Sequence, residues 1–240
     1  MVKISLAIIF FLSSLCFGAM MFDGDDFISM GDVDSLDRTS ADDFTIEALF
    51  YVDEVSVGII AGKSDTGYTE GYVIYCNFGV HPQKFVLGLG DGTLEETWTY
   101  SGAVLNEYEW NYIAAVKIST SIIYYCNGVY DSTVDPINDD TIATAFAFTI
   151  GTRKDGTGEM YDNAISRVVV HDRGLSADEI ASRMDRWTPP DSDVLGEWRL
   201  DGQAGNWVYD SSSGGNHGEI TGAVWSDNPP VTTLPGVLIQ

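Results

Sequence analysis

Short runs of β-branched and aromatic residues, cut at close intervals by Gly, Asp, Asn and Pro, restrict this chain more than any other feature. Phe44 to Val52 (FTIEALFYV) sets the pattern, and 57–61, 72–78, 85–89, 97–100, 112–118, 122–126, 146–150 and 165–171 repeat it. Each run has a strand's length and residues, and the punctuation between runs is turn chemistry. Gly88, Gly90 and Gly92 close one run, and Asn127-Gly128 marks a tight hairpin turn of the I′ kind. Many runs are apolar without a break, which suits strands buried between two layers. The pattern predicts an all-β sandwich or barrel.

One segment reads as a helix. Ser176 and Glu179 form a capping-box pair, and Ile180 and Met184 then share a face. Pro189-Pro190 follows and is the one convincing internal boundary. Beyond it lie an apolar run at 194–200, the loop Asp210 to Gly218 (DSSSGGNHG) and a second run at 220–225. This tail holds Trp198, Trp207 and Trp225, too many for so short a piece to bury alone. It must pack on the rest of the chain or on a partner. Residues 231–240 are a loose end or one more strand.

The 240 residues suffice for one large sandwich or two small domains, and 45% of them are hydrophobic, enough for a sizeable core. The formal net charge of −24 repels phosphate backbones and anionic lipid, so nucleic acid and membrane surfaces are excluded as partners. The chain opens with a basic start (Met1 to Lys3), an apolar run from Ile4 to Leu15, and the small residues Gly18 and Ala19. This reads as a secretory signal peptide over 1–18, with cleavage after Ala19 as the alternative site and a lipid anchor on Cys16 as a further one. No other stretch would span a membrane. The expected location is secreted, extracellular or periplasmic. Export leaves Cys76 and Cys126, which either pair across strands or stay as small buried hydrophobes.

Six segments, in order, resemble laminin-G-like jelly-roll domains of the concanavalin A-like lectin and glucanase kind. They are Phe22 to Phe27 (FDGDDF), Phe44 to Ala48 (FTIEA), Trp110 to Ala114 (WNYIA), Tyr124 to Gly128 (YYCNG), Ile150-Gly151, and Ile165 to Ile180 (ISRVVVHDRGLSADEI). Together they cover about 22 to 187. The resemblance implies a two-sheet antiparallel jelly roll with one short helix, and relatives that bind calcium near these motifs. The order departs at one point. The family's opening segment, with its G-x-W-x-L-D and D-S-S-G patterns, comes last here, over Gly196 to Trp225. This implies a circularly permuted domain over 19–230, with a main body at 22–187 completed by strands from 194–227 and a tail at 231–240. The other reading is the start of a truncated second copy.

Catalytic patterns are missing. Glucanases of this fold class carry Glu-x-Asp-x-x-Glu or Glu-x-Asp-x-Glu on one strand, and no such spacing occurs. Glu95 and Glu96 would point to opposite faces, and Tyr108 stands between Glu107 and Glu109. His81, His171 and His217 are scattered. The expectation is therefore a binding module, not an enzyme. Asp210 and Asn216, with Asp25, Asp26 and Asp162, are the candidate Ca²⁺ ligands, because calcium takes six to eight oxygens from carboxylates, amides and carbonyls. Asp210 and Asn216 could equally hold a turn. Trp98 and Tyr100, two apart on one strand, are the candidate sugar-stacking pair, with Tyr68 and Tyr72 as weaker candidates. The expected partner is a glycan; the alternative is an extracellular protein bound by an adhesion or structural module.

Overall fold

The computed structural model describes residues 18–53, 57–64, 70–76, 83–91, 97–135, 145–153, 156, 160–184, 192–202, 204–227 and 229–230. Residues 1–17, where the signal peptide is expected, and Tyr68, His81, Glu95, Glu96, Pro189-Pro190 and 231–240 lie outside them. The strands in chain order are β1 (Ala19–Met21), β2 (Phe27–Gly31), β3 (Phe44–Val52), β4 (Gly58–Ser64), β5 (Glu70–Cys76), β6 (Phe85–Asp91), β7 (Thr97–Tyr100) and β8 (Glu109–Ile118). They continue with β9 (Ser121–Cys126), β10 (Val129–Val134), β11 (Phe148–Ile150), β12 (Ala164–His171), β13 (Val194–Arg199), β14 (Trp207–Val208), β15 (Gly218–Thr221) and β16 (Val224–Ser226). The helix α1 (Ala177–Met184) lies between β12 and β13.

These strands build two antiparallel sheets, so the fold is the all-β jelly-roll sandwich that the strand pattern and the resemblance implied. The first sheet runs β10-β9-β8-β3-β12-β1-β16, with β13 also on β12. The second runs β14-β15-β2-β11-β4-β5-β6-β7. Alternation in β3 aims Phe44, Ile46, Ala48 and Phe50 into the core between the sheets, while Glu47 and Leu49 face away. Helix α1 covers part of that outer face, setting Ile180, with Leu175 just before it, against Tyr112, Ala114, Val116 and Tyr125.

Both ends of the chain share β12. β1 pairs with Ala164 and Ile165, and β13 pairs with 167–171, so the two lie end to end along one strand edge. β16 then pairs with β1, and β15 with β2. Trp198 of β13 enters the core, stacks on Phe148 at 4.8 Å and donates its indole N–H to Asn216 O at 2.7 Å.

Cys76 and Cys126 form no bridge with each other, which corrects the alternative of a pairing across strands. Cys76 lies on β5 and Cys126 on β9, in different sheets. Facing sheets stand about 10 Å apart, whereas a disulfide needs Cα atoms within about 7 Å. Burial pushes both thiols up, Cys126 to about 11.

Candidate functional site

The sequence FDGDD between β1 and β2 turns through Gly24, whose φ of +91° suits glycine, and so brings its acidic residues together. Asp23, Asp25 and Asp26 hold carboxylate oxygens that all lie within 4.8 Å of one another. Asp26 is buried and accepts the backbone N–H of Asp23 at 3.0 Å; Asp23 and Asp25 are exposed. Gly222, at φ +80°, leaves the space that the Asp26 carboxylate fills, since any side chain there would collide with it. Asp162 stands across the turn, its Cβ 3.8 Å from where a side chain on Gly24 would begin. The charges strain one another. The hydrogen bond to Asp23 and its repulsion raise the Asp25 carboxyl, burial raises that of Asp26, and Asp23 is lowered by its bond with Asp25. A divalent cation would relieve that repulsion, and a cluster of hard carboxylate oxygens is the donor set that calcium takes. Asp23 was missed in the sequence because only Asp25 and Asp26 form an obvious pair; the turn at Gly24 makes it their neighbour.

Asp210 and Asn216 are placed differently. Asp210 is not among the clustered carboxylates, and its oxygens already accept three backbone N–H groups. Oδ1 takes those of Glu197 and Ser212 at 2.9 and 2.8 Å, and Oδ2 takes that of Asn216 at 2.9 Å. The Asn216 amide donates to Leu195 O at 2.8 Å. These are turn-holding bonds, the plainer of the two readings of this loop.

The aromatic candidates separate in the same way. Tyr72 is fully buried, its ring 5.2 Å from that of Phe44 and its hydroxyl donating to Leu36 O at 2.8 Å. It belongs to the core, which corrects its reading as a sugar-stacking candidate. The cause is strand parity: Tyr72 shares a face with Ile74 and Cys76, which point inward. Trp98 and Tyr100 stand on β7, the edge strand of the second sheet, opposite Gly88 and Val86. Tyr100 packs, half-buried, against an apolar cluster of Ile59, Val73, Tyr75 and Val86 on the sheet's outer face. Tyr75 is the aromatic missed on that face; burial pushes its hydroxyl up to about 12. The center of this face is therefore roofed over, and Tyr100 marks its open rim.

Comparison with known proteins bears on the fold and the family. A family model, Laminin_G_3 of the concanavalin A-like lectin/glucanases superfamily, matches residues 22–181. A protein from Bacteroides ovatus assigned to carbohydrate binding shares the fold at a TM-score of 0.69 and 20% identity, over 90% of this chain and 62% of that one. The chain thus spans about three fifths of that protein's length. A pentraxin from Limulus polyphemus follows at 0.53 and 14%, over 70% of this chain and 82% of its own. Domain 4 of an extracellular arabinanase from Geobacillus stearothermophilus, solved with arabinotriose, matches at 0.51 and 14%, over 68% and 75%. No curated protein sequence matches. With its two-sheet sandwich and a family model spanning two thirds of its length, the chain belongs to the concanavalin A-like lectin/glucanases superfamily.

Proposed function

We propose that this chain is a non-catalytic carbohydrate-binding module, exported from the cytoplasm and assisted by a calcium ion at the Asp23–Asp26 turn. The observation that carries the reading is the shared sandwich: the Bacteroides ovatus protein, assigned to carbohydrate binding, is matched along 90% of this chain. The arabinanase domain, solved with arabinotriose, has the same kind of fold. The chemistry agrees. Glycoside cleavage needs two carboxyl groups facing each other across an open cleft. The buried Glu47 and Glu197 instead sit in ion pairs with Arg183 and Arg199 on the outer face of the first sheet. Asp23, Asp25 and Asp26 would hold the cation, with Asp162 as a further ligand and water completing the shell. We also take 19–230 as one permuted domain in which 194–227 replaces the family's opening strands.

The reading is tested by binding the chain, from Ala19 on, to a broad panel of glycans and polysaccharides, with calcium and then with a chelator. Retention on a defined class that weakens about tenfold or more with chelator is the expected result. Retention indifferent to chelator would remove the calcium, and no retention would remove the carbohydrate. A second reading, adhesion to another protein, is favored by one feature. β10 is an edge strand whose Val129 and Tyr130 are 68% and 57% exposed, an open template for strand addition.

A further inference from the structure

The far edge of the second sheet, opposite to β7, carries a pair of exposed aromatic residues. Trp207 and Tyr209 are 47% and 56% exposed, while Val208 between them is fully buried. Trp207 of β14 and Tyr209, just past the strand's end, thus lie on the side away from the buried Val208, at positions about 7 Å apart in an extended chain. Glu219 stands opposite Trp207 in the register of β14 and β15. The imidazole of His217 lies edge-on to Tyr209, with ring centroids 5.2 Å apart.

This surface is held rigidly. Asp210 N–H donates to His217 Nδ1 at 3.1 Å, so the ring's proton sits on Nε2. The three backbone bonds to the Asp210 carboxylate lock the loop that carries His217. The chain before Trp207 is pinned as well: Trp225 Nε1 donates to Gly205 O at 2.8 Å, and Ile220 N–H to Asn206 O at 3.0 Å. An exposed Trp and Tyr on so well-fastened a strand pair need little ordering on binding.

We propose that Trp207 and Tyr209 form a stacking platform for a neutral polysaccharide chain. The apolar C–H faces of two neighboring sugar units would lie on the two rings, and Glu219 and His217 would take ring hydroxyls at its border. The net charge of −24 and the Glu219 carboxylate beside the rings select against uronic-acid and sulfated glycans. The proposal rests on the carbohydrate-binding reading and names where, and to which class, that binding occurs.

Affinity electrophoresis tests it, with neutral polysaccharides (β-glucan, xylan, arabinan, mannan) and anionic ones (polygalacturonate, alginate) cast into the gel. The proteins compared are the chain from Ala19 on, the double variant Trp207→Ala/Tyr209→Ala, and Tyr100→Ala. Both rings that the double variant removes are exposed in the parent, so its unfolding midpoint should stay near that of the parent. The expected result is retardation of the parent by at least one neutral polysaccharide, an affinity loss of about tenfold or more in the double variant, and retention in Tyr100→Ala. Retardation lost in Tyr100→Ala but kept in the double variant would overturn the platform and leave the carbohydrate reading standing. Retardation only by the anionic polymers would also overturn it. No retardation of the parent by any polymer would overturn both.

Discussion

Glu47 shows how much a single buried charge can hold. It is fully buried on β3, and its Oε1 meets Arg183 Nε of α1 at 2.7 Å and His171 Nε2 of β12 at 3.0 Å, with Arg167 close by. Burial alone would raise its carboxyl, but His171 beside it and the charges of Arg183 and Arg167 hold it below its usual value. Replacing Glu47 by Gln removes the buried carboxylate that faces Arg183 and Arg167. The expected cost is about 3–5 kcal/mol, read as a lowered urea midpoint with an unchanged slope. The folded-state pKa is depressed, so this stabilization is present above about pH 4.5 and fades as the pH falls below it. The motif FTIEA was visible in the sequence, but the role of its Glu was not, because its partners come from 120 to 136 residues further on.

At the scale of elements, legibility followed burial. The apolar runs became β3 to β9, β11 and β12 within a few residues at most, since a strand covered on both faces is spelled by its composition. β10 was missed: its sequence VYDSTV carries Asp131 and Ser132, it lies at an edge, and a bulge breaks its register between Tyr130 and Ser132. β1, β2 and β14 were missed because two to five residues give no readable period. The helix was legible through its cap, and the cap forms. Ser176 N–H donates to Glu179 Oε2 at 2.8 Å, and Glu179 N–H returns to Ser176 Oγ at 3.4 Å. Hydrogen bonds from Arg173, and then from Ser176, draw the Glu179 carboxyl down to about 2 from its usual 4.5. Its stabilization is therefore complete above about pH 4.5 and lost as the pH falls toward 2. Because the pair is half-exposed, Glu179→Gln should cost only about 1 kcal/mol at pH 7, and near pH 2 parent and variant should unfold at nearly the same midpoint.

For the whole molecule, the outcome depends on the C-terminal strands. They supply a neighbor for β12, for β1 and for β2, and they put Trp198 into the core against Phe148. A chain ending at residue 187 loses all of these at once. Losing Trp198 alone should cost about 3–5 kcal/mol, so the truncated chain should show no cooperative thermal transition and a collapsed near-ultraviolet dichroism. The candidate site was less legible than the fold. Asp25 and Asp26 were visible as a pair, but Asp23 joins them only through the turn. Tyr72 was misread because one step of strand parity decides between core and surface. Trp207 and Tyr209 were invisible as a site because nothing in a polar tail distinguishes an exposed tryptophan from a buried one.

The central claim is that this sandwich binds sugar and leaves it intact. It is tested most directly by titrating the chain with an oligosaccharide cut from the polysaccharide that retains it, by calorimetry, and then counting reducing ends after prolonged incubation. The account predicts saturable binding and no increase in reducing ends. Reducing ends that grow with time would make the chain an enzyme, and the absence of any binding heat or competition would contradict the carbohydrate reading itself.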